Sequence, residues 1–126
     1  MIKYTKKNQF INILKKFQHS FTFQFVSPEL KKDREFVLEV LEINGLVLEY
    51  VSPEFQADPK LVLAAVKQNA EAFQFVSQKL KENREFVLEA MAINWEVSEY
   101  ISPELKKEFQ KDFLEFLKNQ KINNLK

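Results

Sequence analysis

A five-residue phrase returns at a constant interval along this chain. Val26-Ser27-Pro28-Glu29-Leu30 recurs as Val51-Ser52-Pro53-Glu54-Phe55, as Val76-Ser77-Gln78-Lys79-Leu80 and as Ile101-Ser102-Pro103-Glu104-Leu105. Residues 26–50 and 76–100 agree at 15 of 25 positions, with Arg34-Glu35-Phe36-Val37-Leu38-Glu39 standing against Arg84-Glu85-Phe86-Val87-Leu88-Glu89. A weaker 50-residue rhythm runs through the same stretch, since Phe23-Gln24-Phe25-Val26-Ser27 returns as Phe73-Gln74-Phe75-Val76-Ser77. A fixed period of this length marks a repeat array, in which a unit too small to bury its own apolar face packs on its neighbours.

Each unit carries start and stop signals. Ser27 followed by Pro28 is a helix N-cap with proline at the first helical position, where its missing N–H costs nothing. That predicts a short helical turn through Lys32. Asp33 caps a second helix, in which Phe36, Val37, Val40 and Leu41 share one face and Glu35, Glu39 and Glu42 the other. Asn44-Gly45 ends it, read as residues that tolerate a left-handed helix terminus. Leu46 to Val51 is a third, very short apolar helix leading into the next Ser-Pro.

The fold class that follows is all-α: a short helical-repeat, α-solenoid-like domain with a 25-residue unit. A length of 126 residues suits one domain, residues 1–126. Residues 1–25 form a degenerate N-terminal unit whose Phe25 stands in register with Tyr50, Phe75 and Tyr100. Residues 26–50, 51–75 and 76–100 are the repeats, and 101–126 the C-terminal cap. In that cap Glu108 to Asp112 contains one extra residue, no final apolar helix follows Leu117, and Lys118 to Lys126 is polar.

The repeat resembles an uncharacterised bacterial repeat family. The stretch ELKKDREFVLEVLEINGLVLEYVSPE is similar to a family pattern that reads roughly ELKxDKEVVLxAVKQNGxALxYAS. Leu63-Ala64-Ala65-Val66-Lys67-Gln68-Asn69 is its closest local match in this chain. The likeness covers residues 26–105 well and the flanks poorly. It implies the helical fold and no particular chemistry. Members of the family include effectors that intracellular bacterial pathogens inject into host cells. One small member inhibits sibling effectors that deamidate or transglutaminate ubiquitin and its conjugating enzyme. What the resemblance implies is therefore an effector that binds and inhibits a ubiquitin-modifying sibling, reaching the host cytosol without a cleavable signal peptide.

Composition narrows the chemistry. With 1 Gly there is no Gly-rich phosphate loop, and with no Cys there is no disulfide framework or thiolate site. No cofactor, metal or catalytic residue is expected. The net charge of +1 gives no global reason to expect nucleic acid or an anionic membrane. The longest apolar run, Leu61 to Val66, is far short of the ~20 residues a membrane helix needs. Lys15 and Lys16 close the run Phe10–Leu14 too early for a secretory signal, so a cytoplasmic location is expected. Charge is nevertheless uneven. Residues 1–25 hold Lys3, Lys6, Lys7, Lys15 and Lys16 and no acid, interleaved with Tyr4, Phe10 and Phe17. Those are the ingredients of a nucleic-acid surface, but the acidic central units oppose phosphate.

His19, the lone histidine, has the intrinsic pKa of a general base or a metal ligand. It also stands where Asn44, Asn69 and Asn94 stand in later units, at a helix end where imidazole can bond a free carbonyl. Ser27, Ser52, Ser77 and Ser102 are read as caps rather than nucleophiles. The carboxylate rows Glu35/Glu39/Glu42 and Glu85/Glu89 are read as a wet outer face rather than a cation site.

Function is therefore read as binding: a non-enzymatic protein–protein interaction module, with a structural or adaptor role as the alternative. Candidate contact residues are those that break the unit's own rule. Trp95 stands where Gly45 and Ala70 stand, either as an interface anchor or as filler against the C-terminal cap. Lys60, Ala64 and Lys67 stand where flanking units carry Glu35/Glu39/Glu42 and Glu85/Glu89/Ala92. This is either a basic patch that steers an acidic partner or drift on a solvated face. Apolar surface at the open ends of a short array makes a homodimer the expected assembly.

Overall fold

The computed structural model describes residues 2–125. Five main helices form one row: α1 (Lys7–Phe17), α3 (Arg34–Ile43), α5 (Pro59–Gln68), α7 (Arg84–Ile93) and α8 (Pro103–Leu125). Short α2 (Pro28–Lys31), α4 (Pro53–Gln56) and α6 (Gln78–Lys81) connect successive units. A second row consists of 3-10 segments at Ser20–Phe25, Gly45–Tyr50, Ala70–Phe75 and Trp95–Tyr100, one to a unit and in the same register. Each main helix packs on the next, and each 3-10 segment on the next. The protein is an all-α repeat domain. Among the described residues no helix is long and apolar enough to cross a membrane.

The caps fall where the unit's punctuation places them. Ser27, Ser52, Ser77 and Ser102 each accept, through Oγ, an N–H from the first turn of the helix that follows. Asp33 and Asn83 accept from Phe36 and Phe86, and Asp58 from Lys60 and Leu61. Phe36, Val37, Val40 and Leu41 are buried, as are Leu61, Val62, Ala65 and Val66 one unit later. Glu35, Glu39 and Glu42 lie exposed on the opposite face. Burial of that stripe, at roughly 1.5–3 kcal/mol for each large apolar side chain, is what ties one unit to the next.

Two local expectations are corrected. Asn44 is not a left-handed terminus: its backbone is extended, and no glycine has a positive φ. Asn44 instead caps the following 3-10 segment, Oδ1 accepting from Leu46 N–H, while Nδ2 donates to the Gln18 carbonyl of the preceding unit. Asn94 repeats this toward Glu96 and the Val66 carbonyl. Gly45 is required by close approach, because a methyl there would overlap the Ala65 carbonyl oxygen of the next helix. Among the described residues the left-handed one is Gln18, at the end of α1.

His19 is the second correction. It occupies the N-cap of Ser20–Phe25, where its side chain makes no cap hydrogen bond and its own carbonyl accepts from the Thr22 hydroxyl at 2.6 Å. The imidazole stacks on Phe17, with ring planes 7° apart, and leans on Phe21.

Ion pairs cross the unit boundaries. Lys7 Nζ meets Asp33 at 2.7 Å, and Arg34 makes a two-pronged contact with Asp58, at 2.9 and 3.1 Å. Arg84 pairs with Glu108 and Asp112. In each case a cation at the first position of one main helix reaches toward the next. The step from α5 to α7 lacks the charges for this, with Pro59 at the first position and Asn83 as the cap.

Candidate protein interface

Lys60, Ala64 and Lys67 recur at helical spacing, which sets them on one face of α5. Asp58 as cap and Pro59 at the first position fix where that helix starts, and hence where the face points. The structure brings these three together. They line one wall of an open surface groove of about 530 Å³, with Leu38 and Glu42 from α3 and Gln68 completing it. Both lysines are exposed and Ala64 is half-buried. Leu38, packed against the core, gives the groove an apolar element. Gln68 is held in place, its Oε1 accepting from Gly45 N–H at 2.6 Å. The groove thus presents two ammonium groups and one carboxylate.

Trp95 lies elsewhere. It opens the Trp95–Tyr100 segment, is 42% exposed, and is not among the residues lining that groove. Gly45 and Ala70, at the same position in their units, are buried. The structure therefore gathers three of the four candidate residues and leaves the fourth apart.

The charge shifts belong to the unit boundaries. The Lys7 ammonium, hydrogen-bonded to Asp33, holds that carboxyl below the usual carboxylate range, helped by the Phe36 N–H. Arg34 does the same to Asp58 more strongly than desolvation opposes it. Desolvation, with Glu49 beside it, raises the Tyr50 phenol above its usual range and keeps it a hydrogen-bond donor. Among the described residues no group of three or more His, Asp or Glu side chains is placed to hold a metal ion.

Reading by 25-residue units passes over further grooves along the short helices. The signal for them was present in the 50-residue rhythm of Phe23–Ser27 and Phe73–Ser77. A family model described as Domain of unknown function (DUF4116) matches the chain twice, over residues 9–56 and 58–106. Each match spans two of the 25-residue units. Comparison with curated proteins and with solved structures finds no match.

Proposed function

The chain belongs to the DUF4116 family, whose function is unknown, and from that premise we propose a non-enzymatic protein-interaction module that binds and inhibits a partner enzyme. The observation that carries the reading is the groove between α3 and α5. There Lys60 stands where the flanking units carry Glu35 and Glu85, and Lys67 where they carry Glu42 and Ala92, beside a half-buried leucine. Opposite charge at such a patch acts first on the rate of encounter. An inhibitor of this kind works by covering the partner's substrate surface, which takes about 800 Å² per side and no reactive group. The repeat's likeness to those of injected bacterial effectors makes a ubiquitin deamidase or transglutaminase, met in the host cytosol, the first partner to test. A homodimer is the assembly proposed for the free protein, with exposed Leu114, Phe116 and Leu117 on α8 as the apolar surface to be covered.

The test is affinity capture with the tagged protein from lysates of the producing bacterium and of host cells. A Lys60→Glu/Lys67→Glu variant and Trp95→Ala run beside it. Recovery of one bacterial enzyme, slower association of the lysine variant, and loss of that enzyme's turnover on binding are the expected results. Recovery of a partner whose turnover is unchanged makes the protein an adaptor. Association that neither variant alters places the interface elsewhere.

A further inference from the structure

The 50-residue rhythm has a physical counterpart in two surface grooves along the short helices. One, of about 550 Å³, lies between α2 and α4 beside Phe23. The other, of about 340 Å³, lies between α6 and the start of α8 beside Phe73. Lys31, Tyr50 and Ser52 line the first, and their counterparts two units on, Lys81, Tyr100 and Ser102, line the second. Val51 and Phe55 in the first are matched by Ile101 and Leu105 in the second, so the apolar walls repeat as well.

The step between them is bridged by hydrogen bonds. Gln56 stands where the two lysines stand, and its Nε2 donates to the Leu48 carbonyl at 2.9 Å. Its own carbonyl accepts from Ser77 N–H at 3.0 Å, drawing α4 and α6 together. Phe75 stands where the two tyrosines stand. Lysine and tyrosine therefore occur together in both grooves, and both are replaced at the bridged step. The two grooves, two units apart, share their polar groups as well as their apolar walls.

The lining names the ligand's chemistry. Aromatic and aliphatic walls take an apolar side chain, and a lysine at the same place in each groove favours a carboxylate beside it. The first groove is the more cationic, with Lys32 next to Lys31 against Glu54. In the second, Glu82 offsets Lys81, although Gln78 Nε2 donates to that carboxylate and Lys81 Nζ to the Gln74 carbonyl. We propose that the two grooves are paired docking sites for linear segments of a partner protein, each segment inserting an apolar side chain flanked by an acidic residue. The groove at Lys31 is the tighter of the two. This rests on the reading of the chain as a protein-interaction module and adds to it two sites per chain and the class of peptide they take.

The probe is a pool of nine-residue peptides with a central Phe, Leu, Ile or Met flanked by Asp and Glu. A matched pool with Lys and Arg flanks serves as control. Both are titrated into the ¹⁵N-labelled full chain. The acidic pool is expected to shift amides of residues 50–55 and 100–105, with two peptides bound per chain. Lys31→Gln, which places the glutamine of the bridged step in the first groove, removes the first set of shifts. Lys81→Gln removes the second. Joining two copies of the best peptide by a Gly-Ser linker is expected to tighten binding about tenfold or more, through effective concentration. Equal shifts from both pools, shifts outside the grooves, or no shift at millimolar peptide overturn the proposal. So does concentration-dependent self-association lost in both variants, which assigns the grooves to a second copy of the chain. Failure here with association still slowed by Lys60→Glu/Lys67→Glu leaves the interaction reading intact, and the reverse pattern moves the interface to the grooves.

Discussion

The two ends of the array depart from the repeating unit in opposite directions. In the N-terminal unit the Ser-Pro phrase is missing, yet the 3-10 segment Ser20–Phe25 falls in register with those of later units, while buried Phe10, Ile11 and Leu14 of α1 stand 26 residues, not 25, before Phe36, Val37 and Val40. One residue, left-handed Gln18, is added after α1, and the short helix is replaced by an extended strand-like stretch in which Tyr4 bridges Val26. At the other end the phrase is intact, from Ile101 to Leu105, yet short helix and main helix fuse into a single α8 of 23 residues. The difference lies in one position. Asp33, Asp58 and Asn83 each turn the chain out of the short helix by capping the next one. Glu108 stands there in the last unit, and a longer side chain that does not favour the N-cap lets the helix continue. From α2 onward the caps decide where a unit breaks, whereas α1 starts after Lys6 with no side-chain cap and docks through its buried stripe.

The strongest way to break that comparison is to remove the stripe at the degenerate end. Phe10 is fully buried and packs edge-on against Tyr4, Phe23 and Phe36, at 5.4 to 6.0 Å between ring centres. Phe10→Ala is expected to cost about 3–5 kcal/mol, a large share of the roughly 5–15 kcal/mol typical of a whole domain. In an array whose units contact only their neighbours, that loss stays local. Denaturant unfolding is expected to show it as an early fall in far-UV ellipticity, while the fluorescence of Trp95, near the far end, keeps its midpoint. Coincident shifts of both probes would make the array one cooperative unit.

An interior step responds through backbone approach instead. Gly45→Ala puts a methyl against the Ala65 carbonyl, and overpacking of this kind costs about 1–3 kcal/mol. The measurement is the urea midpoint, and a change within a few tenths of a kcal/mol would mean that α3 and α5 slide apart freely. A smaller effect tests the caps. Asn83→Ala removes the acceptor for Phe86 N–H and is expected to cost about 1 kcal/mol. Hydrogen exchange should then rise first at Arg84–Val87, with the buried stripe of α7 still protected.

Much of this was legible in the sequence, and the rest was not for identifiable reasons. The Ser-Pro starts, the Asp caps and the stripe Phe36/Val37/Val40/Leu41 are local signals, and all fall where the unit places them. Asn44-Gly45 misled because its residues suit two jobs. Left-handed tolerance is written in the side chains, whereas capping the next segment and admitting the Ala65 carbonyl depend on a neighbour in the following unit. His19 misled by register, since it replaces an asparagine without inheriting its hydrogen bonds. The groove of Lys60, Ala64 and Lys67 was visible as a break in the unit's own rule. Trp95 broke the same kind of rule, but spacing within one unit carries no information about which side of the array a residue reaches.

The ion pairs across unit boundaries give the smallest and most directional contrast. Lys7 holds Asp33, and Arg34 holds Asp58, below the ordinary carboxylate range in the folded chain. A carboxylate whose folded pKa is depressed adds stability above its unfolded value of ~4, and loses it as pH falls through the folded value. Thermal stability is therefore expected to hold from neutral pH down to roughly pH 5 and to fall below about pH 4. Arg34→Ala lowers stability at neutral pH and makes the acid fall shallower, because Asp58 then titrates closer to its unfolded value; the two proteins converge at the lowest pH. The step from α5 to α7 has no such pair, with Pro59 and Asn83 in the two positions. Acid should then loosen the first three units ahead of that step, which hydrogen exchange at about pH 3 resolves by unit. Uniform loosening along the array would assign the acid limb to net charge rather than to the pairs at unit boundaries.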